Sequence, residues 1–184
     1  MFKGDEGYLE NIINIILLMA VYISYVTDMR YKKIPNAVTF PSVLLGLALN
    51  ILLFGSFSSG VIFSVKGLVL GFVLFFIPYL LGFFGAGDVK LFAAIGALKG
   101  AEFAFYNFLS VSVAGGIMAG VSLLMNRRFS AALKKFFFLL LFRVSVFKKL
   151  EEADASEKMS YGAAVFWGTL FNLLYFGVYK KYVL

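Results

Sequence analysis

Cysteine and histidine are both absent from the 184 residues. That removes disulfides, thiol nucleophiles, histidine-ligated haem and the usual zinc sites together. Charge is scarce as well, at 15% of residues, where a soluble domain carries about one quarter. Any acid–base chemistry therefore rests on the ten carboxylates, and no metal or other cofactor is expected. What fills the chain is apolar: 61% is hydrophobic and 18% aromatic. Apolar runs occupy nearly the whole length and leave no room for a separate soluble domain, so residues 1–184 read as one integral-membrane domain. The net charge of +7 has no soluble basic domain with interleaved aromatics to carry it, which excludes nucleic acid as a partner.

The expected fold is an all-α polytopic bundle of about six membrane helices, at residues 9–27, 37–54, 60–83, 88–99, 101–125 and 161–180. The run from Ile12 to Val26 lacks a basic leading region and ends in Thr27, Asp28 and Met29, so it reads as a retained span rather than a signal peptide. Six spans with both termini outside place 12 of the 17 basic residues in cytoplasmic segments, among them Arg30, Lys32, Lys33 and Lys90. Lys66 lies close enough to the outer end of its helix to snorkel. The stretch from Phe129 to Leu150 is apolar, but Lys134, Lys135 and Arg143 interrupt it at depths that lipid penalises. Ser130, Lys134, Ser145, Lys148 and Lys149 fall near one face, which reads as an amphipathic helix in the cytoplasmic interface; Arg143 departs from that face.

Outside the solvent loops, two acidic residues sit at the cytoplasmic ends of apolar helices: Asp28 closes the first and Asp88 opens the fourth. An ionisable group bordering hydrocarbon is costly unless it is paired or lines a wet cavity, so each is a candidate functional residue. The plainer alternative is that Asp28 ends one helix and Asp88 caps another. Gly85 and Gly87 before Asp88 permit a close approach of a second chain. After Asp28 come a basic cluster and then Pro35 and Asn36, a turn that can start the next helix. Lys90, two residues past Asp88, lies on another helical face and is expected to meet headgroups. Glu151, Glu152, Asp154 and Glu157 read as a solvated loop.

The segments DMRYKKIPN from Asp28 and GAGDVKLFAAIGALKG from Gly85 resemble the two signature segments of the type IV prepilin peptidases, membrane aspartyl proteases with a Gly-x-Gly-Asp motif. Tyr161 and Gly162 resemble the Pro-Tyr-Gly that opens the last helix in many members, with Ser160 in place of the proline. The larger members carry a cytoplasmic insertion with paired cysteines and an N-methyltransferase activity. This chain is similar instead to the short, peptidase-only members.

The resemblance implies an aspartic endopeptidase of the cell membrane with its active site facing the cytoplasm. It implies Asp28 and Asp88 as the catalytic pair, and Gly85, Gly87, Lys90, Pro35, Asn36, Tyr161 and Gly162 as residues that shape the site or bind substrate. The implied partners are membrane lipid and prepilin-like precursors, cut after a glycine that precedes a hydrophobic helix. Two neighbouring carboxylates do not both ionise cheaply, so the pair is expected to share a proton, one member activating water and the other polarising the scissile carbonyl. The rival reading is a small ion- or proton-coupled transporter using the two aspartates as cation sites, although no symmetry between the halves accompanies it.

Overall fold

A segment in hydrocarbon must satisfy its own amides and carbonyls, and helices do so within one stretch of chain. The computed structural model describes residues 3–80, 84–125 and 161–183, and helices are the regular elements among them. They are α1 (Lys3–Tyr31), α2 (Asn36–Phe54), α3 (Phe57–Leu80), α4 (Ala86–Met125) and α5 (Gly162–Val183). The first four are long and apolar enough to cross a membrane, and α5 contains a shorter apolar stretch, Gly162–Gly177. Large apolar side chains such as Leu44, Trp167 and Phe171 are more than half exposed, as lipid-facing positions are. The amphipathic helix expected near residues 129–150 lies outside the described residues.

The expected fourth and fifth runs are joined in α4, but Gly100, with φ 82° and ψ 176°, breaks the helix into arms 86–99 and 101–125. Only glycine adopts that conformation cheaply, and a Cβ there would also meet the Phe63 ring. The contacts on either side show that the chain turns back on itself. Phe75 of α3 stacks on Phe92 at a centroid distance of 3.4 Å and meets Phe108 edge-on at 5.6 Å. Those two partners stand eight residues before and eight after Gly100.

The directions of the neighbouring helices agree. Along the first arm and α1, Lys99 donates to Asn14 Oδ1 at 2.8 Å while Asp88 lies near Asp28, so the two run antiparallel. Along the second arm and α5, Asn172 Nδ2 donates to the Phe103 carbonyl and Gly168 abuts Val111, again antiparallel. Phe166 packs on Tyr22 and Tyr25 while Gly162 meets Asp28, so α5 also opposes α1. The two arms of α4 must then point in opposite directions.

A helix broken in mid-bundle strands its last carbonyls. In an unbroken helix the carbonyls of Ala97 and Leu98 would accept from residues 101 and 102. Here the buried Asn50 amide of α2 takes that place, with Nδ2 3.0 Å from the Ala97 oxygen and 3.2 Å from that of Leu98. The same amide lies 2.9 Å from both the Gly46 carbonyl and Ser64 Oγ, which joins α2, α3 and α4 at one point. Close backbone approach makes this possible: a Cβ on Gly67 or Gly96 would strike the other residue's backbone. Asn50→Ala is expected to lower stability by about 1–3 kcal/mol, because buried carbonyls lose their donor. A thermal melt of the detergent-solubilised variant against the parent checks this.

Candidate active site

Asp88 stands three residues into α4 as the chain leaves Gly85, and its Oδ2 accepts a 2.9 Å hydrogen bond from the Gly85 amide. The Gly85 carbonyl in turn accepts from the Asp88 and Val89 amides at 3.1 and 3.4 Å. This is the acidic half of a capping box, and it sets a negative group at the positive end of the helix. The capping role weighed from sequence is therefore real for one oxygen. Asp88 is nonetheless buried, at 8% exposure.

Asp28 lies in the last turn of α1 and is half-buried. Its main-chain carbonyl accepts from Lys32 at 3.0 Å, and Lys32 adopts φ 53°, a left-handed conformation that closes the helix. At that position the helix dipole of α1 opposes a negative charge. The offset comes from α5: the Gly162 amide, one of the unpaired donors at that helix's start, gives a 2.9 Å hydrogen bond to Asp28 Oδ2. A Cβ on Gly162 would fall 2.9 Å from both Cβ and Oδ2 of Asp28, so the contact requires glycine.

The two carboxylates, 60 residues apart in sequence, lie within each other's electrostatic field. The segments around them interlock. A Cβ on Gly87 would lie 2.9 Å from that of Ile34, which holds the loop after α1 against the start of α4. Lys90 Nζ donates to Asn36 Oδ1 at 3.0 Å and stands 6.0 Å from the Phe40 ring centroid. Lys90, expected to meet headgroups, is exposed and through this bond ties the first turn of α4 to the first turn of α2. Pro35, with φ −73° and ψ 139°, provides the extended residue from which α2 starts. Tyr161 immediately precedes Gly162, lies within the field of Asp88, and sets its ring edge-on to Phe84 at 4.9 Å.

The model of the type IV leader peptidase family matches residues 15–120, more than half of the chain. The chain belongs to this family. The matched region contains Asp28, Asp88 and both glycines before Asp88, and it ends before Tyr161 and Gly162. No curated protein and no solved structure matches the chain. Family membership gives the transporter reading no support, and no group of three or more metal-ligating acidic side chains occurs among the described residues.

All nine residues singled out from the sequence fall within these linked segments. Phe84, Ile34 and Asn50 were not anticipated. The first two are ordinary apolar residues in an apolar chain, and nothing in sequence separates them from lipid-facing neighbours. An asparagine in the middle of an apolar run was the one visible signal for Asn50, since a buried amide in lipid needs partners.

Proposed function

We infer that the protein is an aspartic endopeptidase that removes the short basic leader from type IV prepilin-like precursors. The observation that carries this reading is that Asp28 and Asp88 lie at one end of the bundle within electrostatic reach, each held by a glycine amide at a helix start. Membership of a leader-peptidase family supports the substrate class.

In the mechanism we infer, the two carboxylates share one proton because two neighbouring negative charges in a partly buried site are costly. The ionised member takes a proton from water as the water attacks the scissile carbonyl. The protonated member donates a hydrogen bond to the carbonyl oxygen, and a proton then passes to the departing nitrogen. The glycine amides fix one oxygen of each aspartate, which orients the remaining oxygens toward the substrate. Neither a covalent intermediate nor a cofactor enters the scheme.

The inferred topology has six crossings, with the two arms of α4 counted separately. The aspartates then lie at the cytoplasmic face of the cell membrane and both termini outside. This arrangement is supported by the reversal at Gly100 and by the basic residues Arg30, Lys32, Lys33 and Lys90 near the aspartates in sequence. The purified chain in detergent, incubated with a candidate precursor from the same genome, is expected to release the leader as a discrete peptide by mass spectrometry. An intact precursor after prolonged incubation with a properly folded preparation would remove the assignment.

A further inference from the structure

Gly67 and Gly71 set one row of α3 hard against α4: a Cβ on the first would strike the Gly96 carbonyl, and one on the second the carbonyl of Phe92. The neighbouring rows of α3 stay outside that contact, and a groove of about 470 Å³ runs along them. Val65, Val69 and Val73 form one row of its wall and Lys66 and Leu70 the next, at the four-residue spacing that stacks side chains on one helix face. Ala101, the first residue after the turn at Gly100, is the contribution of α4. The three valines are each more than 40% exposed, as lipid-facing side chains are.

Lys66 is the one charged residue of α3. It is exposed, and no hydrogen bond or ion pair joins it to another described residue. Counted along the helix, it stands about 14 Å from the start of α3 and about 21 Å from its end. A hydrocarbon layer of about 30 Å therefore reaches past it, with the nearer interface on the N-terminal side. Helical side chains lean toward the N-terminus, so the ammonium is carried toward that interface, where lipid phosphate is the available anion. The apolar wall runs the other way: Val69 and Leu70 lie one turn deeper and Val73 two turns deeper. A cation at the shallow end above an apolar wall has the same order as a phospholipid of that leaflet, phosphate first and acyl chain below. The volume is about three times that of a cavity that takes up one benzene ring, which gives room for a length of hydrocarbon chain.

We propose that this groove binds one anionic phospholipid from the leaflet nearer the start of α3, with its phosphate on Lys66 and an acyl chain along Val69 and Val73. The site is independent of the peptidase chemistry, and under the inferred topology the leaflet is the outer one. A zwitterionic lipid offers the same phosphate but brings its own cation, so an ammonium with no carboxylate partner favours a headgroup of net negative charge. Bound there, the lipid lies against Ala101 and braces the turn at Gly100 from outside the bundle.

Brominated lipids, which quench tryptophan on contact, provide the test. The single tryptophan, Trp167, is exposed on α5, which does not pack against α3. Phe72→Trp combined with Trp167→Phe moves the probe to α3, beside the groove and outside its lining. In phosphatidylcholine bilayers, a minor fraction of brominated phosphatidylglycerol is expected to quench this probe as though enriched about 5-fold over the same fraction of brominated phosphatidylcholine, the effect of one lysine near a charged surface. Adding Lys66→Gln should bring the two lipids to parity at this probe and leave their ratio at the native Trp167 unchanged, whereas Lys66→Arg keeps the preference. Should the chain carrying Phe72→Trp fail to fold, as judged by its thermal melt, Phe76→Trp replaces it, since the two rings stack at 5.2 Å. Parity of the two lipids beside the groove with Lys66 in place, or a preference that survives Lys66→Gln, would overturn the proposal. An equal fall at Trp167 would do the same, by showing that the lysine acts on the whole surface and not on this groove.

Discussion

Asp28→Asn and Asp88→Asn should each reduce leader removal by about 1,000-fold or more, since each takes away one half of a shared acid–base pair. Asparagine is the informative replacement because its side-chain oxygen can still accept the amide of Gly162 or Gly85, so both helix starts keep their hydrogen bond. The expected signature is lost turnover with a thermal melt close to that of the parent. Alanine at either position would confound the two effects, as loss of a cap alone costs about 1 kcal/mol. The double variant should be scarcely worse than either single one, because residues acting as a unit are not additive. Appreciable cleavage by both single variants would exclude the aspartic mechanism.

The second large effect is expected from Gly162→Ala. The added methyl would lie 2.9 Å from Cβ and Oδ2 of Asp28, too close for either to remain in place. Asp28 must shift, and a displacement of about 1 Å in a catalytic group typically costs roughly 100-fold in rate. The loss should fall mainly on kcat, because Gly162 touches the aspartate and no substrate contact is assigned to it. The clean comparison is Gly120→Ala, where the new methyl meets nothing within 4 Å and a far smaller change in kcat is expected. Equal effects of the two alanines would show that the Gly162 contact does not position Asp28.

Sequence made the helices legible because lipid imposes length and apolarity on each of them. The span expected at 37–54 emerges as Asn36–Phe54, and the boundary placed between 99 and 101 falls on Gly100. The first helix runs past its apolar stretch in both directions, to Lys3–Tyr31, because hydropathy marks where lipid is and not where helical hydrogen bonding stops. Asp28 consequently sits inside the last turn of α1 instead of just beyond it.

What remained hidden depends on how the helices are rotated against one another. That the Asn50 amide meets the carbonyls of Ala97 and Leu98, or that Tyr161 meets Phe84, follows from packing angles that no local pattern encodes. The carboxylate pair was accessible because charge in an apolar helix is rare.

The bond from Asn50 to the interrupted end of the α4 arm also bears on how the protein is made. Buried carbonyls without a donor cost about 1–3 kcal/mol each, so the arm that ends at Gly100 is poorly supported without α2 beside it. Chain order suits this: Asn50 precedes the turn by some fifty residues, so its amide is synthesised first. The arm bearing Asp88 thus leans on a helix that comes earlier in the chain, and the support of the site begins well upstream of its own signature residues.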